Sequence, residues 1–329
     1  SFAGGLPAPE VFPVEEMKKI SVKVLKEQGK QALQYSPTEG FPPLREKIAK
    51  RMDKVGVKTE ADNILITNGS QQGLDFSAKV FLNPDDIVIV ESPSYLGAIN
   101  AFKAYECKFV EVATDNDGMI MEDLEKALKE NDNVKMIYVI PDFQNPSGRT
   151  WSLDRRKRLL ELASEYNLPI VEDNPYGELR FEGEMLPSIK SMDTDGRVIF
   201  LGTFSKTFCP GLRIGWVCAS DEVLNKYIMV KQGADLQSNS MSQREIDAFL
   251  EEYSLDAHIE KIKKLYRGRR DLMLKTMKEN FPAEVEFTYP EGGLFTWAVL
   301  PEYINARDLM AKALERNVAF VPGGSFFPN

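Results

Sequence analysis

Short apolar runs rich in β-branched residues recur along the first two thirds of the chain and predict strands. Because the runs are nearly continuous rather than alternating, they are typical of strands buried on both faces of a mostly parallel sheet. Helical periodicity separates several of them, for example at Leu74, Ala78 and Phe81. A second helix is predicted over 153–166, after a Ser152 cap. This alternation predicts a three-layer α/β domain. The predicted strands are 64–67, 87–90, 134–141, 169–173, 197–203 and 213–219.

The pattern changes from about residue 240. A long charged helix is predicted over 243–280, and an alternating, aromatic pair of runs follows in VEFTYPEGGLFTWAVLP. The helix INARDLMAKALERN and a short strand, VAFVP, complete a predicted smaller α+β domain. The Gly- and Pro-rich opening, SFAGGLPAPEVFP, predicts an extended loop. We therefore predict an N-terminal segment associated with the small domain (1–30), a large domain (31–240) and a small C-terminal domain (241–329).

Composition narrows the possible partners. The chain has 329 residues, of which 43% are hydrophobic, and a net charge of −9, so its field repels nucleic acid and anionic membrane surfaces. The basic run at 155–158 is expected to be a solvated helix face, because apolar residues follow it at helical spacing. No apolar run approaches the length of a membrane span. Three cysteines without paired spacing fit a reducing cytoplasm.

The single histidine, His258, limits the possible chemistry. Catalysis by Ser-His-Asp or Cys-His groups, and any metal site ligated by histidine, would have to use it. It lies in a charged helical stretch, where an exposed position is expected. No metal site is predicted, and lysine, tyrosine, carboxylates or a cofactor remain as the source of chemistry.

Polar residues follow most of the predicted strands, where open parallel sheets bind ligands. They are Asn68-Gly69-Ser70-Gln71, Glu91-Ser92-Pro93-Ser94-Tyr95, Asp142 to Gly148, Glu172 to Tyr176, and Thr203-Phe204-Ser205-Lys206. Taken singly, each has an ordinary structural explanation: Tyr95 could be a core aromatic and Asn145 a turn former before a proline. Their joint placement predicts one pocket.

The segment around Lys206 permits two interpretations. A P-loop needs glycine six residues before its lysine and immediately before it, but Phe200 and Ser205 occupy those positions. Lys206 is therefore a candidate nucleophile. A phosphate is better placed at the Gly69-Ser70-Gln71 turn into a helix, where free N–H groups and the helix dipole favour an anion. Hydroxyl groups and a guanidinium could complete that site.

The chain resembles the pyridoxal-phosphate-dependent aminotransferases of fold type I, class I/II, in the group that includes 2-aminoadipate, kynurenine and aromatic aminotransferases. The segments that carry the resemblance occur in the family's order and cover essentially the whole chain. They are FAGGLP, QYSPTEGFPPLRE, TNGSQQGLD, ESPSY, QNPSG, EDNPY, GTFSKTFCPGLRIGW and PEGGLFTW. The resemblance implies that the large domain binds pyridoxal 5'-phosphate.

The resemblance also implies a role for each matching residue. Lys206 is expected to form the internal aldimine and to move the proton, and Asp173 to hold the pyridine nitrogen protonated. Tyr176 and Asn145 are expected to bind the cofactor's phenolic oxygen, and Tyr95 to stack on the ring. The expected phosphate-binding group is Ser70, Gln71, Thr203, Ser205 and Arg213. Gly4 and Gly5 are expected in the loop that closes over substrate, and Tyr35 is expected to reach the neighbouring subunit's site in a homodimer.

The implied activity is transfer of an amino group between an L-amino acid and a 2-oxo acid, with 2-oxoglutarate as the expected acceptor. The same scaffold hosts β-lyases and decarboxylases, and similar domains occur in transcription regulators, so both remain alternatives here. Relatives normally continue past VPGGSFFPN into a strand whose arginine binds the substrate's α-carboxylate, and they begin with a further helix. The sequence ends at Asn329. We therefore expect both of these parts, including the arginine, to be missing.

Overall fold

A computed structural model describes residues 1–329 and contains a central eight-stranded sheet. Its spatial order is β1-β8-β7-β6-β5-β2-β3-β4. Strands β7, β6, β5, β2 and β3 are parallel neighbours, whereas β8 runs antiparallel to both β7 and β1. The mostly parallel sheet that the sequence predicted is therefore confirmed. The strands are β1 (Ile64–Thr67), β2 (Ile87–Ser92), β3 (Lys108–Asp115), β4 (Gly118–Met119), β5 (Val134–Val139), β6 (Ile170–Asp173), β7 (Val198–Thr203) and β8 (Gly215–Cys218).

Helices cover both faces of the sheet. One hydrophobic cluster joins it to α3, α4 and α8 and includes Phe76, Phe102 and Tyr227. Two further clusters lie on the opposite face, so the domain has three layers. The helices of this part are α1 (Val14–Ala32), α2 (Pro42–Met52), α3 (Ser70–Phe81), α4 (Leu96–Lys103), α5 (Met121–Glu130), α6 (Leu153–Glu165), α7 (Ile189–Met192) and α8 (Asp221–Ala234).

The C-terminal part is α+β, as predicted, but its elements differ from the predicted ones. The helix expected over 243–280 is two helices, α9 (Ser240–Glu252) and α10 (Leu255–Asn280). Ser254 lies at the break and caps α10 by accepting a hydrogen bond from the backbone N–H of Ala257 at 3.1 Å. The remaining elements are β9 (Glu286–Phe287), β10 (Ala298–Val299) and α11 (Ala306–Glu315).

Two strand predictions need correction. VAFVP, at 318–322, is not a strand, because no neighbouring strand pairs with it. The sequence analysis also missed β3, whose run KFVEVATD mixes charged and apolar residues because six of its eight residues are at least partly exposed near the sheet edge. The proposed domain boundaries at 30/31 and 240/241 stay predictions. Helix α9, beyond the second boundary, packs on both α1 and α2.

Two polar side chains are buried where exposure was expected. His258 is 6% exposed and lies edge-on to Phe208 and Phe249, because it falls on the same helical stripe as Leu255 and Ile262. Arg156 has no exposed surface and pairs with Asp142 at 2.7 Å, so the run at 155–158 is only partly a solvated face. None of the helices combines the length and the apolar character that a membrane-spanning helix requires.

Candidate active site

A cavity of about 1520 Å³ opens at the carboxyl ends of the parallel strands. It collects every site residue expected from the sequence except Tyr35, whose side chain is 78% exposed at the surface. The expected residues that line it are Gly4, Gly5, Ser70, Gln71, Tyr95, Asn145, Asp173, Tyr176, Thr203, Ser205, Lys206 and Arg213. Sheet geometry explains this, because β1, β2, β5, β6 and β7 all end at the same edge.

Lys206 lies three residues beyond the end of β7 and points into the cavity. Its Nζ donates a hydrogen bond to the carbonyl oxygen of Gly5 at 2.8 Å. Burial lowers the pKa of Lys206, the guanidinium of Arg213 lowers it further, and the carboxylate of Asp173 opposes the shift. The neutral, nucleophilic amine is therefore reached at a lower pH than in a free lysine.

Asp173 is the last residue of β6 and is 2% exposed. The hydroxyl of Tyr138 donates to its Oδ2 at 3.1 Å, but its buried Oδ1 has no hydrogen-bond partner. Burial raises the pKa of Asp173 to about 7, against the opposing effects of the Tyr138 hydroxyl and Lys206. A buried carboxylate oxygen without a donor is costly, so this site favours a bound group that brings a cationic N–H.

The turn before α3 has the properties of an anion site. Gly69 has a positive φ of 72°, and a Cβ at that position would lie 2.4 Å from Nη2 of Arg213. The same Nη2 donates to the carbonyl oxygen of Asn68 at 3.2 Å, which holds the guanidinium beside the helix N-terminus. Across from it, the hydroxyl of Thr203 donates to Oγ of Ser205 at 2.9 Å. Glycine is thus required at position 69 for the close approach of the cation.

Three polar side chains surround the space between Lys206 and Asp173. Burial raises the pKa of the Tyr176 hydroxyl, and the Asn145 amide opposes the shift. Burial also raises the pKa of Tyr95, whose hydroxyl donates to Oε1 of Gln71 at 3.4 Å. Both phenols therefore stay protonated at neutral pH and can act as hydrogen-bond donors.

The N-terminal segment meets the C-terminal part at the mouth of the cavity. A Cβ on Gly5 would lie 2.5 Å from Cζ of Phe295, so a larger residue at position 5 would have to displace that ring. Phe295 in turn packs edge-on against Tyr176, with ring centroids 5.6 Å apart. Gly4 has a positive φ of 80° and no heavy atom near its missing Cβ.

Sequence analysis missed several residues of the site. Tyr138 could have been found, because its hydroxyl is an isolated polar group inside a predicted buried strand. Phe295 lies within the PEGGLFTW segment, but its apolar side chain gave no reason to predict a role in the site. The far side of the cavity is mainly apolar, and its lining includes Phe2, Leu6, Leu272, Met277, Trp297, Leu300, Leu309 and Phe320.

The sequence matches the family described as aminotransferase class I and II over residues 7–327. The chain belongs to this family. It is 50% identical to aromatic-amino-acid aminotransferase 1 of Thermococcus litoralis, over 99% of this chain and 80% of that protein. It is 44% identical to 2-aminoadipate transaminase of Thermus thermophilus, over 100% of this chain and 82% of that protein. The crystal structure of kynurenine aminotransferase from Pyrococcus horikoshii superimposes with a TM-score of 0.96 at 45% identity, covering 99% of this chain and 82% of that one.

Regulatory proteins match less well than these aminotransferases. An uncharacterized HTH-type transcriptional regulator of Escherichia coli is 32% identical over 99% of this chain and 69% of its own length. The higher identities belong to enzymes, and the chain is accordingly a pyridoxal-phosphate-dependent aminotransferase. The β-lyase, decarboxylase and regulator alternatives are not favoured.

The residues of the cavity fit pyridoxal phosphate on three counts. The orphaned Oδ1 of Asp173 suits a protonated pyridine nitrogen, and the amine of Lys206 suits an aldehyde. The turn at Gly69, with Arg213 against it, suits a phosphate.

Proposed function

We propose that this aminotransferase holds its cofactor through Lys206 and Asp173 and transfers amino groups from apolar or aromatic L-amino acids to 2-oxoglutarate. The observation that carries the residue assignment is the pairing of two groups within one cavity. Lys206 offers an amine of lowered pKa, and Asp173 offers a buried carboxylate oxygen that lacks a donor.

Pyridoxal phosphate, when bound, supplies an aldehyde that condenses with amines and a ring that accepts electrons from the substrate's Cα. Lys206 would hold the aldehyde through its amine, and its Nζ, when free, would be the base placed to take a proton from the substrate's Cα. Because burial and Arg213 lower the pKa of Lys206, its neutral, basic form is available at a lower pH than that of an exposed lysine. Asp173 would keep the ring nitrogen protonated, and that positive charge would favour the carboxylate form of Asp173.

The remaining residues orient the cofactor. Tyr176 and Asn145 would donate hydrogen bonds to its phenolic oxygen, and Tyr95 would contact the ring. The residues that would bind the phosphate are Ser70, Gln71, Thr203, Ser205 and Arg213. Together they would fix the ring so that the amine of Lys206 meets the reacting carbon.

The preference for apolar donors rests on the far wall of the cavity. Phe2, Leu6, Phe295 and Trp297 can bury an aromatic or aliphatic side chain beside the reacting groups. The relative from Thermococcus litoralis, named an aromatic-amino-acid aminotransferase, supports the same choice. The relative from Thermus thermophilus keeps 2-aminoadipate as a second candidate.

We further propose a homodimer in the cytoplasm. Tyr35, with its side chain 78% exposed and outside its own cavity, is free to reach a neighbouring subunit. Cross-linking in solution after a Tyr35→Cys substitution tests this: a dimer bridged near the partner's cavity is expected, and a monomer would contradict it.

The first test of function is the visible absorbance of the cofactor-loaded protein before and after excess L-glutamate, L-phenylalanine or L-2-aminoadipate. The band of the lysine-bound cofactor should give way to that of the aminated cofactor, and 2-oxoglutarate should restore it. A band that no amino acid moves would overturn the proposed donors, and absence of the band would overturn the assignment of Lys206.

A further inference from the structure

A buried ion pair lies behind the anion-binding turn, outside the cavity lining. Lys231, on α8, has no exposed surface, and all its amine hydrogen bonds are made within the protein. Nζ lies 2.9 and 3.0 Å from the two carboxylate oxygens of Asp235, 3.0 Å from Oγ of Ser238 and 3.1 Å from Oε1 of Gln72. Burying an ammonium group is costly unless acceptors satisfy its N–H groups. Because four acceptor atoms surround Nζ here, the ion pair is a stable part of the fold.

The ion pair holds both ends of the turn. Oδ2 of Asp235 accepts hydrogen bonds from the side-chain amides of Asn68, at 2.6 Å, and Gln72, at 2.8 Å. Oε1 of Gln72, which Lys231 also contacts, accepts a hydrogen bond from the backbone N–H of Asn68 at 2.9 Å. The residues that precede and follow Gly69-Ser70-Gln71 are thereby tied to the C-terminal end of α8 and its cap residue, Asp235. The direction of the turn's free N–H groups depends on these bonds.

The charges of the pair matter as well as its geometry. The Asp235 carboxylate alone, bonded directly to Asn68 and Gln72, would place a negative charge behind a site that binds a phosphate dianion. The ammonium of Lys231 cancels that charge at 2.9 Å. Burial lowers the pKa of Lys231, and Asp235 opposes the shift.

We propose that Lys231 and Asp235 are a positioning pair for the cofactor phosphate. They act through Asn68 and Gln72 to shape the turn and to keep the space behind it electrically neutral. This inference rests on the proposed placement of the phosphate at Ser70 and Gln71. The pair touches neither substrate nor cofactor, so its substitution should weaken the phosphate contribution to binding selectively.

The test compares two probes, pyridoxal phosphate and pyridoxal, which differ only in the phosphate. Their dissociation constants are measured by equilibrium dialysis with the cofactor-free protein and with its Lys231→Met variant. We expect the variant to raise Kd for pyridoxal phosphate about tenfold or more, and Kd for pyridoxal less than about twofold. Lys190→Met is the matched control, because Lys190 also pairs with a buried aspartate, Asp193, but does so on α7, outside the cavity lining. It should change neither constant.

Two further variants keep the test decisive. The double variant Lys231→Met/Asp235→Asn removes both charges and should recover part of the lost affinity for pyridoxal phosphate, even if the single variant folds poorly.

Ser70→Ala tests the placement of the phosphate itself. If it leaves the preference for the phosphorylated probe intact, the proposed phosphate site is wrong. If it reduces that preference while Lys231→Met lowers both affinities equally, or neither more than Lys190→Met, only the positioning pair is wrong.

Discussion

The two walls of the cavity are built in different ways. The polar wall consists mainly of residues at or beyond the ends of β1, β2, β5, β6 and β7, and every residue of β6 and β7 is buried between two helical layers. The apolar wall comes largely from residues 281–329, where β9 and β10 are two residues long and α11 has no buried residue. Groups that react need fixed positions, and the sheet supplies them. The side chains of the apolar wall lie outside the sheet, where they can contact a substrate's side chain rather than the reacting groups.

The largest effect is expected from Lys206→Ala, on the polar wall. Loss of the amine should reduce kcat/KM by at least about 10³-fold, because both the covalent link and the proton transfer depend on it. Pyridoxal phosphate should still bind, held by Asp173 and the phosphate-binding residues. The visible band of the lysine-bound cofactor should disappear. An unchanged band would show that Lys206 does not form the covalent link. Lys190→Ala is the control, because it removes a lysine that lies away from the cavity.

Asp173→Asn should have the next largest effect. An amide cannot stabilise a protonated ring nitrogen as a carboxylate does, so we expect kcat/KM to fall roughly 10²- to 10³-fold. Tyr138→Phe, which removes only the donor to Oδ2, should cost less. A variant with normal turnover and an unshifted cofactor spectrum would contradict the assignment of Oδ1 to the ring nitrogen.

Gly5→Ala tests the contact between the two walls. The new methyl group would displace the ring of Phe295 and, through it, Tyr176, so kcat/KM should fall by roughly three- to tenfold. Gly324→Ala is the control, since no heavy atom lies within 4 Å of its missing Cβ. Equal activities of the two variants would show that the segment moves freely over Phe295.

Trp297→Ala tests the apolar wall directly. We expect KM for an aromatic donor to rise about three- to tenfold through lost packing, while Kd for pyridoxal phosphate stays unchanged. An equal loss of affinity for the cofactor and for the substrate would contradict the proposal that the apolar wall binds only the substrate.

The smallest effect concerns His258, on the helix that leads from one wall to the other. Burial lowers its pKa, so the unfolded chain binds the proton more tightly than the folded one. His258 should therefore contribute a loss of stability as the pH falls from the ordinary histidine pKa through the lowered one, and none above that range. His258→Phe should remove this component from denaturant unfolding measured between pH 7.5 and 5.5. As the only histidine, it gives a single imidazole signal in NMR, and titration at the ordinary pKa would contradict the expectation.

Local sequence determined much of the large domain. The run ILIT, at 64–67, is β1 itself, because continuous β-branched residues suit a strand buried on both faces. The Ser152 cap, which accepts a hydrogen bond from the backbone N–H of Arg155, and the glycine before α3 set the starts of two helices. The polar residues after the strands could be assigned to one pocket, since parallel strands end at one edge.

Tertiary structure decided which polar groups are buried and with which partners. His258 and Arg156 look like surface residues in the sequence, because burial depends on what packs against a helix rather than on the residue itself. Phe295 passes under Gly5, and Lys231 reaches Gln72, across 290 and 159 positions respectively. Local periodicity carries no information about contacts at such separation. The hydrophobic pattern of the sequence thus determined the sheet and the sheet edge at which the cavity opens. Only the tertiary packing decided which side chains form the walls of the cavity and which buried groups hold them in place.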